Sequence, residues 1–323
     1  MPHILVAGQL HPAGLALLKS AAGVTFDYVE EVSEPSYAPL IRKADGLVIR
    51  TQPMSAATIA RAERLKVVSR HGVGYDAVDL DALNARGIAL TIVGDTNSVS
   101  VAEQAMMMLL ASAKHAIRAD RAVRDPGGWG WRNKLEATEL ADKRLLIIGF
   151  GRIGRHLARM AAGFGIEIRA HDPWLSENGW PQSDIEPAET LMEWLPWADA
   201  VSVSAPKSDR PILGEAEIAA MRPGSILINT SRGGVVDEKA LITALESGHI
   251  SAAGLDVFER EPPDPANPLF SFDRVILSPH LAGLTTEAAE RMAVASVRNA
   301  LDFLNGCVDP TLVVNQPALR AKV

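Results

Sequence analysis

Short hydrophobic runs alternate with amphipathic segments along almost the whole chain. In the N-terminal part, apolar runs are separated by segments whose apolar positions have helical spacing. The runs predict strands at 4–6, 24–28, 46–49, 67–69 and 89–92. The segments between them predict helices at 12–21, 37–43, 55–62 and 80–86, the last of which ends at Gly87. Such alternation is typical of parallel βαβ units with helices on both faces of a sheet.

A second alternating series begins near Leu145. Its apolar runs predict strands at 145–148, 166–170, 200–203, 226–229, 252–255 and 275–277. Six parallel strands are what a complete dinucleotide-binding sheet requires. A long helix is predicted at 100–118, between the two series, and another at 285–304, after the second. The tail has one apolar, strand-like stretch at 311–316.

A glycine-rich segment follows the first strand of the second series. It reads Gly149-Phe150-Gly151-Arg152-Ile153-Gly154, and a helix is predicted at 155–162. Gly149 permits a tight turn, Gly151 lets backbone approach a pyrophosphate, and Gly154 lets the helix pack closely on the sheet. The helix N-terminus offers N–H groups to phosphates. The segment predicts a dinucleotide site; a glycine-rich turn in another α/β protein is the alternative.

Asp172 closes the next predicted strand, 18 residues after Gly154. This is close to the roughly 20 residues expected for the acid that accepts a hydrogen bond from a ribose hydroxyl. A carboxylate there repels a 2′-phosphate, and the following Pro173 and Trp174 supply no arginine. The position therefore favours NAD over NADP.

The second series lies inside the chain, so the tail has to return to the first domain. We therefore predict an α/β protein with two doubly wound parallel-sheet domains. A Rossmann cofactor domain, residues 99–285, is inserted into a discontinuous, flavodoxin-like substrate domain, residues 1–98 and 286–323. The length of 323 residues suits two domains.

Three polar residues follow predicted strands of the cofactor domain: Arg232, Glu261 and His280. Ligands bind beyond the carboxyl ends of such strands. An arginine can clamp a carboxylate with two hydrogen bonds, and a histidine can exchange a proton with a substrate oxygen near neutral pH. A glutamate beside the histidine raises its pKa. Taken singly, each has a plainer interpretation: a surface arginine, a glutamate before a proline turn, a capping histidine.

Composition narrows the classes of partner. The formal net charge is −7, with no basic tract, which excludes nucleic acid as an expected partner. The single cysteine, Cys307, fits a reducing, cytoplasmic location. The N-terminus does not resemble a signal peptide, and the longest apolar stretch is too short to cross a membrane. No Cys/His cluster suggests a metal.

Four phrases carry a family resemblance. The segments 149–154, 229–234 (Asn-Thr-Ser-Arg-Gly-Gly), 254–259 (Gly-Leu-Asp-Val-Phe-Glu) and 278–283 (Ser-Pro-His-Leu-Ala-Gly) resemble the signatures of the D-isomer-specific 2-hydroxyacid dehydrogenases. The resemblance covers nearly the whole chain and is nearest to the short phosphoglycerate dehydrogenases. It implies Arg232, Glu261 and His280 as catalytic residues. It also implies a homodimer through the cofactor domain, with the helix at 100–118 taking part.

The same resemblance implies further contacts. Asp256 would meet the nicotinamide carboxamide. Other cofactor contacts would lie at Gly149, Gly151, Arg152, Ile153, Gly154, Asp172, Ala205, Pro206, Thr230, His280 and Gly283. Segment 70–76 resembles the loop whose backbone N–H groups, at Val73 and Gly74, hold the substrate carboxylate with Arg232.

Two features concern the rest of the substrate. Arg50 and Thr51 resemble a pair that faces the substrate tail in phosphoglycerate dehydrogenases, although a surface arginine is almost as good an interpretation. His71 stands where many relatives have a small residue, so it would narrow the pocket or add a polar substrate contact. The sequence thus predicts an NAD-dependent D-2-hydroxyacid dehydrogenase, with 3-phosphoglycerate/phosphohydroxypyruvate as one candidate pair. The alternatives are a glyoxylate/hydroxypyruvate or other 2-oxo acid reductase, and an NAD(H)-sensing, corepressor-like binding protein.

Overall fold

A computed structural model of the chain describes residues 1–320. It divides the chain into two compact units. Unit 1 consists of residues 1–97 and the segment from Leu284 onward, and unit 2 consists of Ser98–Gly283. The sequence prediction set these boundaries at 98/99 and 285/286.

Unit 1 contains a five-stranded parallel sheet. Its strands are β1 (His3–Ala7), β2 (Thr25–Val29), β3 (Gly46–Ile49), β4 (Val67–Arg70) and β5 (Ala89–Thr91), in the order β2-β1-β3-β4-β5. This is the flavodoxin-like order. The N-terminal helices are α1 (Pro12–Ser20), α2 (Glu34–Tyr37), α3 (Ala56–Arg61) and α4 (Leu80–Arg86), with a 3-10 helix at Ala38–Lys43. Strands β1, β3 and β4 are buried almost throughout, as expected with helices on both faces.

Unit 2 contains a seven-stranded parallel sheet. Its strands are β6 (Arg144–Ile148), β7 (Glu167–His171), β8 (Glu186–Pro187), β9 (Ala200–Val203), β10 (Ser225–Asn229), β11 (Ile250–Leu255) and β12 (Val275–Leu277). The order is β12-β11-β10-β9-β6-β7-β8. Counted from β6, this is the Rossmann order 3-2-1-4-5-6 with one strand added. The topological switch point, where ligands bind in such sheets, lies between β6 and β9.

The helices of unit 2 pack on both faces of its sheet. They are α5 (Ser98–Ala113), α6 (Ala116–Arg124), α7 (Arg152–Ala162), α8 (Pro173–Asn178), α9 (Leu191–Trp194), α10 (Glu215–Ala220) and α11 (Glu238–Glu246), with 3-10 helices at Gly128–Lys134 and Pro268–Ser271. Two buried hydrophobic clusters belong to this unit, and β6 contributes residues to both. The sheet is therefore sealed on both faces, which leaves its strand ends as the place for a polar site.

The C-terminal segment belongs to unit 1. Helix α12 (Thr286–Leu304) packs on α1, β3 and β4, and a Cβ at Gly14 would lie only 3.0 Å from Ala293 Cβ. The tail then forms a 3-10 turn at Pro310–Leu312 and α13 (Gln316–Arg320). The predicted strand at 311–316 is wrong, because only Val313 forms a bridge, to Thr91. Asn315 nevertheless accepts a hydrogen bond from Leu90 N–H at 2.9 Å, which ties the tail to β5.

Two helix predictions also need correction. The helix predicted at 100–118 is divided, because His115 adopts a left-handed φ of 50° between α5 and α6. The helix predicted at 155–162 begins earlier, at Arg152, so Gly154 lies within its first turn. Among the described residues, no helix is long and apolar enough to cross a membrane.

Candidate active site

The glycine segment lies at the switch point of the unit 2 sheet. Gly149 has a φ of +91°, and a Cβ there would lie 2.7 Å from the Ser204 carbonyl carbon and oxygen. A Cβ at Gly154 would lie 2.2 Å from the Gly149 carbonyl oxygen. Gly149 and Gly154 are thus required by the chain itself. A Cβ at Gly151 would meet nothing within 4 Å, so space is open in front of this backbone.

The residues around this loop fit a dinucleotide. Arg152 and Ile153 form the first turn of α7, whose N–H groups suit phosphate oxygens. The hydroxyls of Ser204 and Thr230, after β9 and β10, are buried with no hydrogen-bond partner among the described residues. Buried hydroxyls normally have hydrogen-bond partners. The ribose hydroxyls or the carboxamide of a bound dinucleotide would supply such partners. Ser204 was not predicted from the sequence.

Asp172, which is predicted to accept a hydrogen bond from a ribose hydroxyl, also accepts hydrogen bonds from the protein backbone. Its Oδ2 accepts a hydrogen bond from Phe150 N–H at 2.9 Å, and its Oδ1 accepts one from Leu175 N–H at 3.1 Å. The carboxylate therefore holds the glycine loop and caps α8 with the same side chain. Each oxygen keeps acceptor capacity for a ribose hydroxyl, because a carboxylate can accept about four hydrogen bonds.

The other predicted cofactor contacts lie at the same edge of the sheet. Ala205 is buried and Pro206 is exposed beyond the end of β9, while Gly283 is half-buried after β12. These assignments stay predictions. Among the described residues, no group of three or more His, Cys, Asp or Glu side chains could hold a metal ion.

His280 and Glu261 form a close pair. His280 Nδ1 lies 2.7 Å from Glu261 Oε2, and Glu261 Oε1 accepts a hydrogen bond from Phe258 N–H at 3.1 Å. The hydrogen bond to Glu261 raises the pKa of His280 above its ordinary value, against the opposing effect of burial. Burial alone would raise the pKa of Glu261, but hydrogen bonds from His280 and from Phe258 N–H lower it. The pair is therefore charged over a wider pH range than isolated side chains.

Asp256 holds the segment that carries His280. This aspartate has no exposed surface. Its Oδ1 accepts hydrogen bonds from the Ser278 hydroxyl at 2.5 Å and from Leu281 N–H at 2.9 Å, and its Oδ2 accepts one from Ala282 N–H at 2.9 Å. His280 sits between these donors with a left-handed φ of 51°, a conformation that needs such support. The predicted contact of Asp256 with nicotinamide stays a prediction.

Arg232 lies on a turn after β10 that hydrogen bonds from the Asn229 side chain stabilise. Asn229 Oδ1 accepts hydrogen bonds from the Ser231 N–H and hydroxyl, and Asn229 Nδ2 donates to the Arg232 carbonyl at 3.1 Å. Arg232 Nη1 donates to the Ser231 carbonyl at 2.7 Å. The positive charge of Arg232 acts on both Glu261 and His280, lowering the pKa of each as one of several contributions. The structure thus brings the three predicted catalytic side chains into one electrostatic cluster.

The predicted carboxylate loop belongs to unit 1. It follows β4 and turns at Gly72, whose φ of +148° favours glycine. Within residues 1–320, the N–H groups of Val73 and Gly74 have no acceptor. Val73 is 36% exposed, so these donors lie at an accessible loop. Two adjacent unpaired N–H groups are a suitable anion-binding element.

A polar cluster lies beyond β1, β3 and β4 in unit 1. Arg50 is half-buried; its Nη1 donates to the Gln9 carbonyl at 2.8 Å and its Nε is buried without a partner among the described residues. Gln52 is 2% exposed, and neither atom of its amide has a partner in that part of the chain. A Cβ at Gly8 would lie 3.1 Å from Gln52 Nε2. Sequence reasoning singled out Arg50 and the exposed Thr51 but missed Gln52.

His71 completes this cluster as a buried, neutral base. It is 6% exposed, and burial together with the charges of Arg50 and Arg70 lowers its pKa to about 4. Between about 4 and its ordinary value of 6.5, the unfolded chain binds a proton at this position and the folded chain does not. The free energy of unfolding should therefore decrease as the pH falls through this window.

Between pH 6.5 and pH 4, we expect His71 to lower the free energy of unfolding by about 3 kcal/mol, since each pH unit contributes about 1.4 kcal/mol. Urea unfolding of the wild type and of His71→Gln between pH 4 and 7 measures this decrease in the free energy of unfolding. The stability of the wild type should decrease relative to the variant on acidification. A difference between the two proteins that does not change with pH would contradict a buried neutral His71.

Comparisons with known proteins identify the family. Residues 106–282 match the family model described as D-isomer specific 2-hydroxyacid dehydrogenase, NAD binding domain. The chain is 34% identical to a glyoxylate reductase from Korarchaeum cryptofilum over 332 residues, covering 99% of this chain and 98% of that protein. It also superposes on the crystal structure of a protein from Thermus thermophilus with a TM-score of 0.87 and 30% identity, covering 97% and 99% of the two chains.

A D-3-phosphoglycerate dehydrogenase from Methanocaldococcus jannaschii is 36% identical over 296 residues. That match covers 91% of this chain but only 55% of the relative, so the chain spans about half the length of such relatives. The family model and the full-length similarity to the glyoxylate reductase agree with the strand order and the glycine loop. The chain belongs to the D-isomer specific 2-hydroxyacid dehydrogenase family.

Proposed function

We propose that the protein is an NAD-dependent D-2-hydroxyacid dehydrogenase, which interconverts a small 2-hydroxy acid and its 2-oxo acid. The observation that carries this proposal is the His280–Glu261 pair at 2.7 Å, beside Arg232 and beyond the carboxyl ends of the cofactor sheet. Asp172, a carboxylate directly after β7 that is hydrogen-bonded to the glycine loop, supports NAD over NADP because a carboxylate would repel a 2′-phosphate.

Each catalytic residue has a distinct task. When bound, NADH supplies a hydride to the oxo carbon. His280 donates a proton to the substrate oxygen as negative charge develops there, and Glu261 keeps the imidazole protonated and oriented. Arg232 binds the substrate carboxylate through its planar guanidinium. In unit 1, the N–H groups of Val73 and Gly74, which are unpaired within residues 1–320, are proposed as donors to an anion. In the oxidative direction His280 accepts the proton, so that direction requires its neutral form.

For the substrate, we propose an acid with a phosphate ester on its third carbon, as in 3-phosphoglycerate and phosphohydroxypyruvate. What supports this is the cluster of Arg50, Gln52 and His71, which holds unpaired buried donors and a positive charge. Among the described residues, the buried Gln52 amide has no partner and the Arg50 guanidinium has a buried, unpaired Nε, and both favour a ligand rich in acceptor oxygens. Several relatives of 36% identity bear the name D-3-phosphoglycerate dehydrogenase, which agrees with this choice.

The test compares substrates that differ only at this end. Arg50→Ala should raise the KM for phosphohydroxypyruvate by about 30-fold, corresponding to a lost charge-assisted hydrogen bond of about 2 kcal/mol. The KM for glyoxylate, which has no third carbon, should stay unchanged. Arg61→Ala, at an exposed arginine of α3, is the matched control. Unchanged phosphohydroxypyruvate kinetics in Arg50→Ala would remove this substrate assignment and leave the reaction class intact.

A glyoxylate or hydroxypyruvate reductase is the second candidate. It is supported by the full-length similarity to a glyoxylate reductase, a protein of nearly the same length. Activity with glyoxylate or hydroxypyruvate that exceeds activity with phosphohydroxypyruvate would favour it. An NAD(H)-sensing, corepressor-like protein is the third; absence of turnover with a broad panel of 2-oxo acids would favour this role.

We further propose a homodimer through unit 2, in the cytoplasm. An apolar surface on α5 and at the C-terminal end of α7 supports the dimer. Met107 and Phe164 are 43% and 46% exposed there, beside Met106, Leu110 and Met160. Large exposed apolar patches mark interaction sites. The aromatic residues Trp129 and Trp131 lie in the 3-10 segment after α6, and an interface role for them stays a prediction.

A further inference from the structure

Glu261 is carried by a short segment that follows β11, and its position depends on what holds that segment. The backbone of Phe258 makes two contacts. Its N–H donates a hydrogen bond to Glu261 Oε1 at 3.1 Å, and its carbonyl oxygen packs against the turn after Arg232. A Cβ at Gly233 would lie 1.7 Å from the Phe258 carbonyl oxygen. The turn that carries Arg232 and the segment that carries Glu261 are therefore packed backbone against backbone.

Two glutamates fix this segment to the start of α11. Glu238 N–H donates to Glu259 Oε1 at 3.0 Å, and Glu259 N–H donates to Glu238 Oε1 at 2.5 Å. Asn267 Nδ2 also donates to Glu238 Oε2 at 3.2 Å. Each carboxylate thus accepts the backbone hydrogen bond of the other residue. We call this arrangement the reciprocal glutamate pair.

The reciprocal glutamate pair lies at the N-terminal end of α11. The first N–H groups of a helix have no partner within the helix, and its N-terminus carries partial positive charge. Both carboxylates lie at this end of α11, where Asp237 caps the helix by accepting a hydrogen bond from Ala240 N–H. The pair therefore has an electrostatic reason to form and fixes Glu259 at a defined place.

Glu259 lies between Phe258 and Glu261 on this segment. The ring of Phe258 is 6% exposed and packs edge-to-face on Phe270, with centroids 6.5 Å apart. Glu259 is therefore held on one side by the packing of Phe258 and on the other by the solvent-exposed reciprocal pair. We propose that Glu259, through its reciprocal pair with Glu238, is a positioning residue that sets the Glu261–His280 hydrogen bond and thereby the protonation of His280. This inference rests on the proposed function.

The helix end favours a carboxylate at Glu259, but the positioning role requires only that its side-chain oxygen reaches Glu238 N–H. Glu259→Gln keeps an oxygen at the same reach and can still accept from Glu238 N–H. Glu259→Asp keeps the charge but shortens the side chain by one methylene, so the acceptor no longer reaches. The proposal expects Glu259→Gln to behave like wild type and Glu259→Asp to behave like Glu259→Ala.

The measurements are the pH profile of kcat/KM for 2-oxo acid reduction and the NMR titration of His280 in 15N-histidine-labelled protein without substrate. In Glu259→Asp and Glu259→Ala, kcat should decrease about 10-fold, because a misplaced orienting group weakens general acid catalysis. The basic limb of the profile and the His280 titration should move together to lower pH. Glu246→Ala, at an exposed residue at the other end of α11, is the control that should leave both unchanged.

The outcomes separate the two proposals. If the wild type reduces no 2-oxo acid, the proposed function fails, and the NMR titration alone decides the role of Glu259. If the wild type is active but Glu259→Asp leaves both the pH profile and the His280 titration in place, the positioning role is overturned. A loss in Glu259→Gln equal to that in Glu259→Asp would also overturn it. If Glu259→Ala does not fold, Glu259→Asp carries the test.

Discussion

Replacing His280 with glutamine should decrease kcat/KM for 2-oxo acid reduction by about 10³-fold, within the range that a positioned general acid contributes. Glutamine occupies similar space but cannot deliver a proton to the forming alkoxide. Its neighbour Glu261 then loses its cationic partner, while Arg232 remains. NADH affinity, followed by quenching of protein fluorescence, should change little compared with the loss of turnover.

The pH dependence follows from the same pair. The hydrogen bond to Glu261 raises the pKa of His280, so reduction should remain fast above the ordinary histidine value of 6.5 and decrease as the pH passes the raised pKa. The free energy of unfolding depends on the protonation of His280 in the same direction as the rate of reduction. The stabilising contribution of His280 is complete below its ordinary pKa and is lost as the pH rises through the raised pKa. The contribution of Glu261 is lost as the pH falls through its lowered pKa.

The control for this prediction is a histidine of unit 2 outside the site. His249→Gln replaces a side chain whose Nε2 lies 3.0 Å from the Ile218 carbonyl oxygen, and it should retain turnover and the pH profile. Retention of wild-type turnover by His280→Gln with every accepted substrate would remove His280 as the proton donor.

Adding a single methyl group at Gly151 should raise the Kd for NADH by about 100-fold, as an overpacking cost of about 3 kcal/mol would, while leaving the fold intact. A Cβ at this position would meet nothing within 4 Å of the chain, and the backbone φ of −68° is open to alanine. The methyl group would occupy the space through which the loop approaches a pyrophosphate. Isothermal titration with NADH measures the loss, and thermal unfolding without cofactor checks that Tm is unchanged.

Gly154→Ala is the contrasting variant. Its Cβ would lie 2.2 Å from the Gly149 carbonyl oxygen, so the loop must move and the free protein must lose stability. Lower Tm in Gly154→Ala and unchanged Tm in Gly151→Ala would separate a folding requirement from a binding requirement. Full NADH affinity in Gly151→Ala would contradict the placement of the cofactor at this loop.

Much of the fold was predictable because buried parallel strands are short apolar runs bounded by turns. All six strands predicted in the cofactor domain are present, and the glycine loop follows the strand at the switch point. Strand β8 was missed because it has two residues, one of them a proline at the sheet edge. The break at His115 was missed because its left-handed backbone leaves no mark in the apolar pattern.

Site residues could be predicted from the sequence only where the residue type and its position after a strand together indicate a catalytic role. Arg232, Glu261 and His280 were found because each follows a strand of the cofactor sheet. The unpaired amide of Gln52 could not be found, since burial without a partner depends on the packing around it. The Glu238–Glu259 pair was equally hidden, because its members are 21 residues apart and meet only when α11 packs beside the segment after β11.

NADH oxidation with phosphohydroxypyruvate, hydroxypyruvate, glyoxylate and pyruvate, measured for wild type and His280→Gln in parallel, tests most directly whether the protein is a 2-oxo acid reductase that uses His280 as its proton donor. We expect the wild type to oxidise NADH with at least one of these acids and His280→Gln to do so about 10³-fold more slowly. Absence of NADH oxidation by the wild type with all of them, or equal rates in the two proteins, would contradict this expectation.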